Sequence, residues 1–452
     1  MKNWLYLAIS VIVIALSLFL RLYKIENRAP FDWDQNRDYL AIAQIVEGKP
    51  TLIGPVAKGE GGFFLGPLYY YLSVPGFVLS RGNPQSLPVT SVVLDVIAIV
   101  AILALFPRVW GKYQSILLAL AWSLSWFAIE MSRISWNVAL LQVWLISFIY
   151  LISLPLSSWK ALLFGLILGI TWHIHAVIIP LSLLIGVIYL KKLEIKWIHL
   201  LYMGVGYLLA LSPLILFDIR HAGLEHNLVL QFLSENGSTR PPISDVLNST
   251  LSRFGKNTLT IFTGTSELSL ITGIVATFMA ILAIMRGTRL AKISGQIILI
   301  DLVLVLYLGE IRFPEYYLAS AYLPVLIIAI DFTSHFKAFI KPLAFVVVGL
   351  FLYFNFHHYS TQKTSFSLVQ KQDLVHAVSR LGNNVDLHSD LPFGRDSGIA
   401  LMLKHSGVSV SKQAKTQVLI TESIGESVFI GGEIAEDLGW FGGFRLAYHV
   451  VQ

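Results

Sequence analysis

Apolar residues dominate the chain up to about residue 356 and occur there in long runs. Windows of about 18–20 apolar residues recur, which is the length that an α-helix needs to cross the hydrocarbon core of a bilayer. The pattern predicts an all-α polytopic membrane protein with about eleven transmembrane helices. Their predicted positions are 4–21, 87–106, 114–131, 137–154, 159–174, 176–190, 198–217, 264–285, 294–309, 317–332 and 340–356.

The apolar segment 66–80 is short, and Pro67, Pro75 and Gly76 interrupt it. If this segment lies along the membrane surface, every short basic loop falls on one side, which the positive-inside rule makes cytoplasmic. Residues 22–86 then form one large external loop with surface-lying helices, and the loop 218–263 is external as well. A spanning helix at 66–80 would invert all later loops and lose this agreement.

The sequence "QNRDYLAIAQIVE" at 35–47 predicts one of these surface helices. Its apolar residues recur at helical spacing and form one face. We expect Asp34 to be the N-cap, and Gly48 followed by Pro50 to end the helix. Asp34 and Asp38 are four residues apart, so they lie on neighbouring turns of one face.

The sequence beyond Tyr359 has a mixed polar and apolar pattern that is typical of a folded domain. A helix is predicted at 368–381 and strands at 416–421, 427–432 and 445–451. We therefore divide the chain into a transmembrane module, 1–357, and a small external α+β domain, 358–452.

Composition supports this organisation and excludes several classes of partner and site. The 452 residues are 55% hydrophobic, too many for one soluble core, and 13% charged, with a formal net charge of +6. The basic residues occupy short loops and not one patch, so no nucleic-acid partner is expected. The absence of cysteine excludes disulfides and thiolate metal sites. The apolar run at 4–21 is longer than a signal-peptide core, which favours a retained first span.

Ionisable residues gather on the predicted external face, at or near span ends, where charge is costly unless it is paired, hydrated or used. Local readings compete with functional ones: Arg133 has the position of an interfacial anchor, Asp34 that of a helix cap, and each histidine is by default structural. Their common location on one face favours a site. The group comprises Asp32, Asp34, Arg37, Asp38, Arg133, His173, His175, Arg220, His221, Glu310, Arg312 and Glu315.

Carboxylates beside arginines at an external membrane face suit transfer of a sugar from a polyprenyl-phosphate donor. Arginines bind the phosphate and stabilise the charge that it gains as leaving group. A carboxylate deprotonates the acceptor hydroxyl as general base. The aromatic stretch "GGFFLGPLYYYL", which contains Tyr69, is read either as the wall of a lipid or sugar groove or as an interfacial aromatic belt.

The order and spacing of several motifs resemble the GT-C membrane glycosyltransferases, specifically the protein O-mannosyltransferase-like and aminoarabinose-transferase-like branch. The resemblance covers most of residues 1–330 and implies a helical membrane module, surface helices in the first loop and an external C-terminal domain. The motifs that carry it are "WDQNRDYLAIAQIVEG", "GPLYYYLSVPGFVLSRGNP", "PRVWGKY", "SRISWN", "FDIRHAG" and "IRFPEYYLASAYLP".

The resemblance also implies roles for individual residues. Asp34 matches the aspartate of an Asp-Glu pair at the catalytic centre, but Gln35 stands where the glutamate is expected. Asp38 and Asp32 are the alternative carboxylates. Arg312 matches an arginine that contacts the lipid phosphate, Arg133 matches an arginine in the "SR" turn of the family, and His175 more loosely matches a polar or basic residue at a span end. The candidates for binding substrate or lipid phosphate are Arg133, Arg312, His175, Arg220 and Tyr69.

Metal dependence is left open by the sequence, because some GT-C enzymes bind a divalent ion with acids of the first loop. Asp34, Asp38 and His175 are the candidate ligands, and oxygen and nitrogen donors suit such an ion. No other cofactor is expected.

We therefore expect an integral glycosyltransferase of the plasma (inner) membrane that transfers a sugar to a protein, lipid or polysaccharide hydroxyl on the external face. A non-enzymatic transporter or flippase of lipid-linked saccharides is the alternative. It would place charges at the bilayer midplane and show repeated halves. A third hypothesis is a structural membrane subunit whose acidic loop contacts a partner protein.

Overall fold

The structure is a computed structural model. It describes residues 1–57, 62–190, 195–234, 241–264, 267–309, 311, 313–334, 341–361, 366–391, 394–422, 429–430 and 433–451. Arg312 and Glu310 lie outside the described residues, as does most of the strand predicted at 427–432.

The membrane module is built from α-helices that follow the apolar runs of the sequence. Its first part contains α1 Asn3–Leu22, α2 Ile25–Arg28, α3 Trp33–Val46, α4 Leu68–Leu79, α5 Ser86–Leu105, α6 Lys112–Leu124, α7 Trp126–Arg133, α8 Leu141–Ile152 and α9 Ser158–Ile170. Its second part contains α10 Ile178–Leu190, α11 Trp197–Arg220, α12 Leu224–Ser234, α13 Ile243–Thr263, α14 Ser269–Arg286, α15 Arg289–Leu308, α16 Tyr322–Ser334 and α17 Lys341–Thr361.

Six of the described helices are long and apolar enough to cross a bilayer, and α6 with α7 makes a seventh if this pair, bent by 66°, is one span. Shorter apolar helices at Asn137–Ile152 and Ile178–Leu190 lie beside them. The prediction of a polytopic helical membrane protein is thereby confirmed. The six comprise Asn3–Leu22, Ser86–Arg108, Trp197–Arg220, Ser269–Arg286, Arg289–Leu308 and Tyr316–Thr333.

Helix α4 corresponds to the ambiguous segment 66–80. Its 12 residues are about 18 Å long, well short of a hydrocarbon core of about 30 Å. It packs against α3, burying Tyr69, Tyr70 and Phe77. This length agrees with the prediction that the segment does not span.

Two helices occupy the region that the sequence analysis assigned to a long loop, 218–263. Helix α13 buries Val246, Phe254 and Ile261 on one face and packs along α14. A Cβ on Gly255 would lie only 1.7 Å from a backbone oxygen of α14, and glycine therefore permits the close approach. Helix α13 was not predicted, because it is amphipathic and its mean hydropathy is low; the external location of 218–263 stays a prediction.

The C-terminal domain combines two helices with a five-stranded sheet in the order β2-β1-β3-β7-β6. β1 is parallel to β2 and β3, whereas β7 is antiparallel to β3 and β6. The predicted helix and the strands at 416–421 and 445–451 are present, so the α+β prediction is confirmed. The elements are α18 Leu368–Ser379, β1 Asn384–Ser389, α19 Ile399–His405, β2 Ser409–Val410, β3 Thr416–Thr421, β4 Phe429–Ile430, β5 Glu433–Ile434, β6 Glu436–Phe441 and β7 Phe444–Val450.

Candidate active site

The acidic segment begins helix α3, and its first residue sets the geometry of the site. Asp32 is the N-cap of α3, with extended backbone angles, and its N–H donates to Gln35 Oε1 at 2.9 Å. Gln35 Nε2 donates in turn to the Ser135 carbonyl at 3.0 Å. The prediction that Asp34 is the N-cap was therefore wrong. The helix begins two residues earlier, because Asp32 and Gln35 form a capping box.

With Asp32 as the cap, Asp34 lies in the first turn of α3, where its carboxylate is held by an arginine. Arg37 Nη1 donates to Asp34 Oδ1 at 2.6 Å, and Arg37 Nε donates to Asp38 Oδ1 at 2.8 Å. One guanidinium thus joins both predicted carboxylates by charge-assisted hydrogen bonds. The sequence had placed Asp34 and Asp38 on one face but had not identified Arg37 as the group between them.

The two carboxylates differ in exposure. The side chain of Asp34 is 46% exposed, whereas that of Asp38 is fully buried. Burial raises the pKa of Asp38 to about 6, although the charge of Arg37 opposes the shift. Asp34 is therefore the carboxylate that a substrate can reach, and Asp38 is the buried group that anchors Arg37.

Aromatic side chains border this group on two sides. Tyr70 of α4 lies next to Arg37 and Asp38, within hydrogen-bonding reach of both side chains. Tyr316 lies near Asp34 and Arg37, with its ring 4.9 Å from that of Trp136. Tyr69 instead turns into the core, its hydroxyl 3.0 Å from Ser91 Oγ. The neighbouring tyrosine, not the predicted one, borders the site.

Two cavities lie near the acidic helix. A cleft of about 440 Å³ is lined by Phe31 and Tyr39, by the turn 80–84 after α4, and by α18 and α19. A smaller cavity of about 40 Å³ inside the membrane module is lined by Trp136, Tyr316 and Asp95. Of segment 66–80, only Ser80 lines the larger cavity, together with the turn that follows it, so a wall formed by the whole segment stays a prediction.

Arg133 is buried and lies in a different network from Asp34. Its Nε donates to the Arg21 carbonyl at 3.0 Å and its Nη2 to the Leu20 carbonyl at 2.8 Å, and Nη1 pairs with Glu130. No described contact joins Arg133 to Asp34. Its guanidinium closes the C-terminal end of α1, where helix carbonyls lack intrahelical partners.

The two histidines have separate environments. His173 accepts a hydrogen bond from the Leu68 N–H at Nδ1, 3.2 Å away, and its Nε2 is 2.9 Å from the Ala210 carbonyl. His175 is buried against the rings of Tyr316 and Tyr317. His173 therefore positions the loop before α4, and His175 supports Tyr316 from behind.

The remaining arginines were predicted to bind substrate. Arg220 is exposed at the C-terminal end of α11. Arg312 lies outside the described residues, between Ile311 and Phe313. Its assignment to the lipid phosphate stays a prediction.

The predicted metal ligands do not form a metal site. Arg37 lies between Asp34 and Asp38, and His175 contacts two tyrosine rings. Among the described residues, no group of three or more His, Asp or Glu side chains is arranged to hold an ion. The donor set Asp34, Asp38 and His175 does not fit a divalent cation, because a bound cation would compete with the guanidinium for both carboxylates.

Lys371 is a further residue at this site that the sequence analysis did not identify. It belongs to α18 of the C-terminal domain, is fully buried, and places Nζ 3.5 Å from Asp32 Oδ1. Its partner is 339 positions away in sequence. Only the three-dimensional fold brings the two together, and no local pattern could have indicated it.

Solved structures share this architecture, although sequence comparisons do not reveal a relative. No protein-family model matches the sequence, and neither does any curated protein. The crystal structure of ArnT from Cupriavidus metallidurans bound to undecaprenyl phosphate is similar, with a TM-score of 0.61 at 9% identity over 97% of both chains. The apo structure of that protein gives 0.60 at 11% identity over the same shares.

The mycobacterial arabinofuranosyltransferase AftD also matches, with a TM-score of 0.48 at 14% identity; the match covers 40% of that longer chain. The ArnT match is nearly full-length on both sides and includes the membrane helices and the C-terminal domain. The chain therefore has the same fold as ArnT.

Proposed function

We propose that this protein is an integral membrane glycosyltransferase that moves a sugar from a polyprenyl-phosphate donor to a hydroxyl group of an acceptor. The acceptor is a protein, a lipid or a polysaccharide. The observation that carries the proposal is the half-exposed carboxylate of Asp34, held by Arg37 on a surface helix of the fold. A similar structure, ArnT, binds undecaprenyl phosphate.

Asp34 is the general base of the proposed reaction. It removes the proton from the acceptor hydroxyl, whose oxygen attacks the anomeric carbon as the bond from that carbon to the phosphate oxygen breaks. The polyprenyl phosphate leaves with the bonding electron pair, and the configuration at the anomeric carbon inverts.

Arg37 orients this base. Its guanidinium is fixed from below by the buried Asp38 and holds one oxygen of Asp34, so the carboxylate has a defined direction. Asp38 fits the role of base less well, since it is fully buried. Asp32 fits less well too, because it caps α3 and pairs with Lys371.

Binding of the lipid phosphate is assigned to Arg312, whose charge would also stabilise the leaving group. The aromatic residues Tyr70, Trp136 and Tyr316 would line the path of the sugar, since aromatic faces pack well on sugar rings. The assignment of Arg312 rests on the sequence resemblance. Those of Tyr70 and Tyr316 rest on their proximity to Arg37, and that of Trp136 on its contact with the Tyr316 ring.

The reaction is placed on the external face of the plasma (inner) membrane, because the basic loops then fall on the cytoplasmic side. The chain contains no cysteine, so single cysteines report topology directly. Ser406→Cys in the C-terminal domain should react with an impermeant thiol reagent in intact cells, and Lys292→Cys only after permeabilisation. The reverse pattern would contradict the orientation.

The direct test is transfer of radiolabelled sugar from polyprenyl-phosphate donors by the purified full-length protein. Asp34→Asn preserves shape but cannot accept the proton, so transfer should fall by on the order of 10²-fold or more. Glu47→Gln, at the other end of the same helix, is the matched control and should keep the wild-type rate. A panel of donors would also identify the sugar.

The same experiment separates the alternatives. A transporter or flippase of lipid-linked saccharides would move labelled lipid across proteoliposome membranes without forming a glycosylated product. In that case neither the wild-type protein nor Asp34→Asn would transfer sugar. A structural subunit would show neither activity.

A further inference from the structure

The C-terminal domain contacts the segment immediately before helix α3. Pro30 forms an antiparallel bridge with Ser367, and the Leu368 N–H donates to the Ala29 carbonyl at 3.2 Å. Phe31 is 1% exposed and packs against Gly398. The segment 29–32 is thus held from the side by the external domain.

The ammonium group of Lys371 also contacts the segment 29–32. Its side chain is fully buried, and its ammonium donates to the Phe31 carbonyl and to the Ser397 carbonyl, the latter at 3.0 Å. The third neighbour is Asp32 Oδ1 at 3.5 Å. An ammonium has three donors, and here each has an acceptor. Two of the three acceptors belong to the segment that starts α3.

Burying an ammonium is costly, so a lysine in this position must be compensated by what it binds. Here the compensation comes from the start of α3, not from the lysine's own helix. Asp32 is both the ion-pair partner of Lys371 and the N-cap of α3. Displacement of Asp32 therefore moves the first turn of α3, which carries Asp34.

We propose that Lys371 is a positioning residue: through Phe31 and Asp32, the C-terminal domain fixes the first turn of α3 and so the direction of the Asp34 carboxylate. The lysine touches neither substrate nor base. Its effect on turnover rests on the function proposed above, whereas its effect on α3 does not. The external domain is on this basis part of the catalytic unit.

The test uses the full-length protein in lipid nanodiscs and two readouts, backbone hydrogen exchange and sugar transfer. Lys371→Met should speed exchange in residues 29–36 by about tenfold or more, since three acceptors lose their donor. It should lower kcat by a similar factor and change the donor KM by less than about twofold, because the base and not the binding site is misplaced. Lys404→Met, an exposed lysine of α19, is the control and should change neither.

A second pair of variants tests the contact between the C-terminal domain and Phe31 while Lys371 is unchanged. Gly398 and Gly407 flank α19 with φ of +85° and +81°. A Cβ on Gly398 would lie 2.6 Å from the Phe31 ring, whereas a Cβ on Gly407 would meet nothing within 4 Å. Gly398→Ala should loosen residues 29–36 beyond the effect of Gly407→Ala, which reports only the backbone strain of a left-handed alanine.

Wild-type exchange at 29–36 in both Lys371→Met and Gly398→Ala would overturn the proposal. So would faster exchange there with unchanged kcat, in a protein that transfers sugar. If β1 and β3 also exchange faster in Lys371→Met, the substitution has destabilised the C-terminal domain itself. Exchange at residues 29–36 in Gly398→Ala, compared with Gly407→Ala, then decides whether the contact with Phe31 holds this segment. If the wild-type protein transfers no sugar, the proposed function fails, and exchange alone decides whether Lys371 holds α3.

Discussion

Two arginine–aspartate groups in this molecule use the same residue types in opposite ways. Inside the membrane module, Arg21 and Asp95 are 0% and 7% exposed and 2.7 Å apart. Arg21 also donates to the carbonyls of Trp122 and Ser123, and the Trp122 indole donates to Asp95. In the acidic helix, Arg37 is 31% exposed and divides its donors between a buried and a half-exposed carboxylate.

The two groups differ in whether a carboxylate oxygen stays accessible to a further partner. The carboxylate of Asp95 is 7% exposed and accepts hydrogen bonds from Arg21 and Trp122, so the pair links α1 to α5 and α6. The carboxylate of Asp34 is oriented by Arg37 but stays accessible, and this combination is what a general base needs. Residue type alone therefore does not distinguish the two groups, whereas the exposure of one carboxylate does.

Breaking the enclosed pair should give the largest effect on folding. Arg21→Met removes the cation that pairs with the buried Asp95 in the membrane module, which should lower the free energy of unfolding by about 3–5 kcal/mol. Denaturation of the detergent-solubilised protein, followed by tryptophan fluorescence, measures this. The double variant Arg21→Met with Asp95→Leu should recover most of the loss. A single variant as stable as wild type would contradict the contrast between the two groups.

Substitution within the open group should instead affect turnover. Asp34→Asn should lose on the order of 10²-fold in initial rate, and Asp38→Asn about tenfold, because it weakens the anchor of Arg37. Asp32→Asn should lose least, since asparagine still caps the helix. Wild-type turnover by Asp34→Asn together with an inactive Asp38→Asn would move the base to Asp38. If none of the three matters, the enzyme hypothesis loses its main support.

Arg312→Ala should separate donor binding from proton transfer. Removal of one charge-assisted hydrogen bond to the lipid phosphate should raise the donor KM about tenfold and also lower kcat, since the leaving group loses stabilisation. Steady-state kinetics at varied donor concentration measures both constants. Arg220→Ala, at an exposed helix end, is the comparison variant. An unchanged KM in Arg312→Ala would remove this residue from the phosphate site.

The smallest effect concerns pH. Burial raises the pKa of Asp38 from 3.8 to about 6, so kcat/KM should increase as pH rises through this value and the pair with Arg37 forms. Stability should respond in the opposite sense. The contribution of protonated Asp38 is complete below about pH 4 and is lost as pH rises through about 6. Asp38→Asn should remove the pH dependence near 6 of both kcat/KM and stability. If kcat/KM of this variant still increases through pH 6, another group causes the dependence.

The sequence predicted the features that depend on long or regular patterns. Apolar runs predicted the helical membrane module, and local periodicity predicted α18 and β3. The sequence analysis missed α13, whose apolar residues lie on one face of the helix. The hydropathy averaged over a window of the sequence combines that face with the polar one, so no apolar run stands out. The sequence analysis also misplaced the N-cap, since Asp32 and Asp34 are both suitable and the choice depends on Gln35 reaching back to Asp32.

The candidate site was predictable only in its local part. The spacing of Asp34, Arg37 and Asp38 places them together on any helix that begins near residue 33. The hydrogen bonds of Arg133 to the end of α1, and of Lys371 to Phe31 and Asp32, depend on segments more than 100 residues apart. Such contacts follow from the tertiary fold, which no local pattern encodes.

The amide of Gln35 restricts how this protein could acquire a metal-dependent mechanism during evolution. A glutamate there would supply a second carboxylate next to Asp34, and one nucleotide change is enough to encode it. The amide, however, accepts from the Asp32 N–H and donates to the Ser135 carbonyl, and a carboxylate can only accept. The carbonyl of Ser135 would then face a like charge in a buried position. A carboxylate pair at positions 34 and 35 would therefore require a second substitution that supplies a donor to the Ser135 carbonyl.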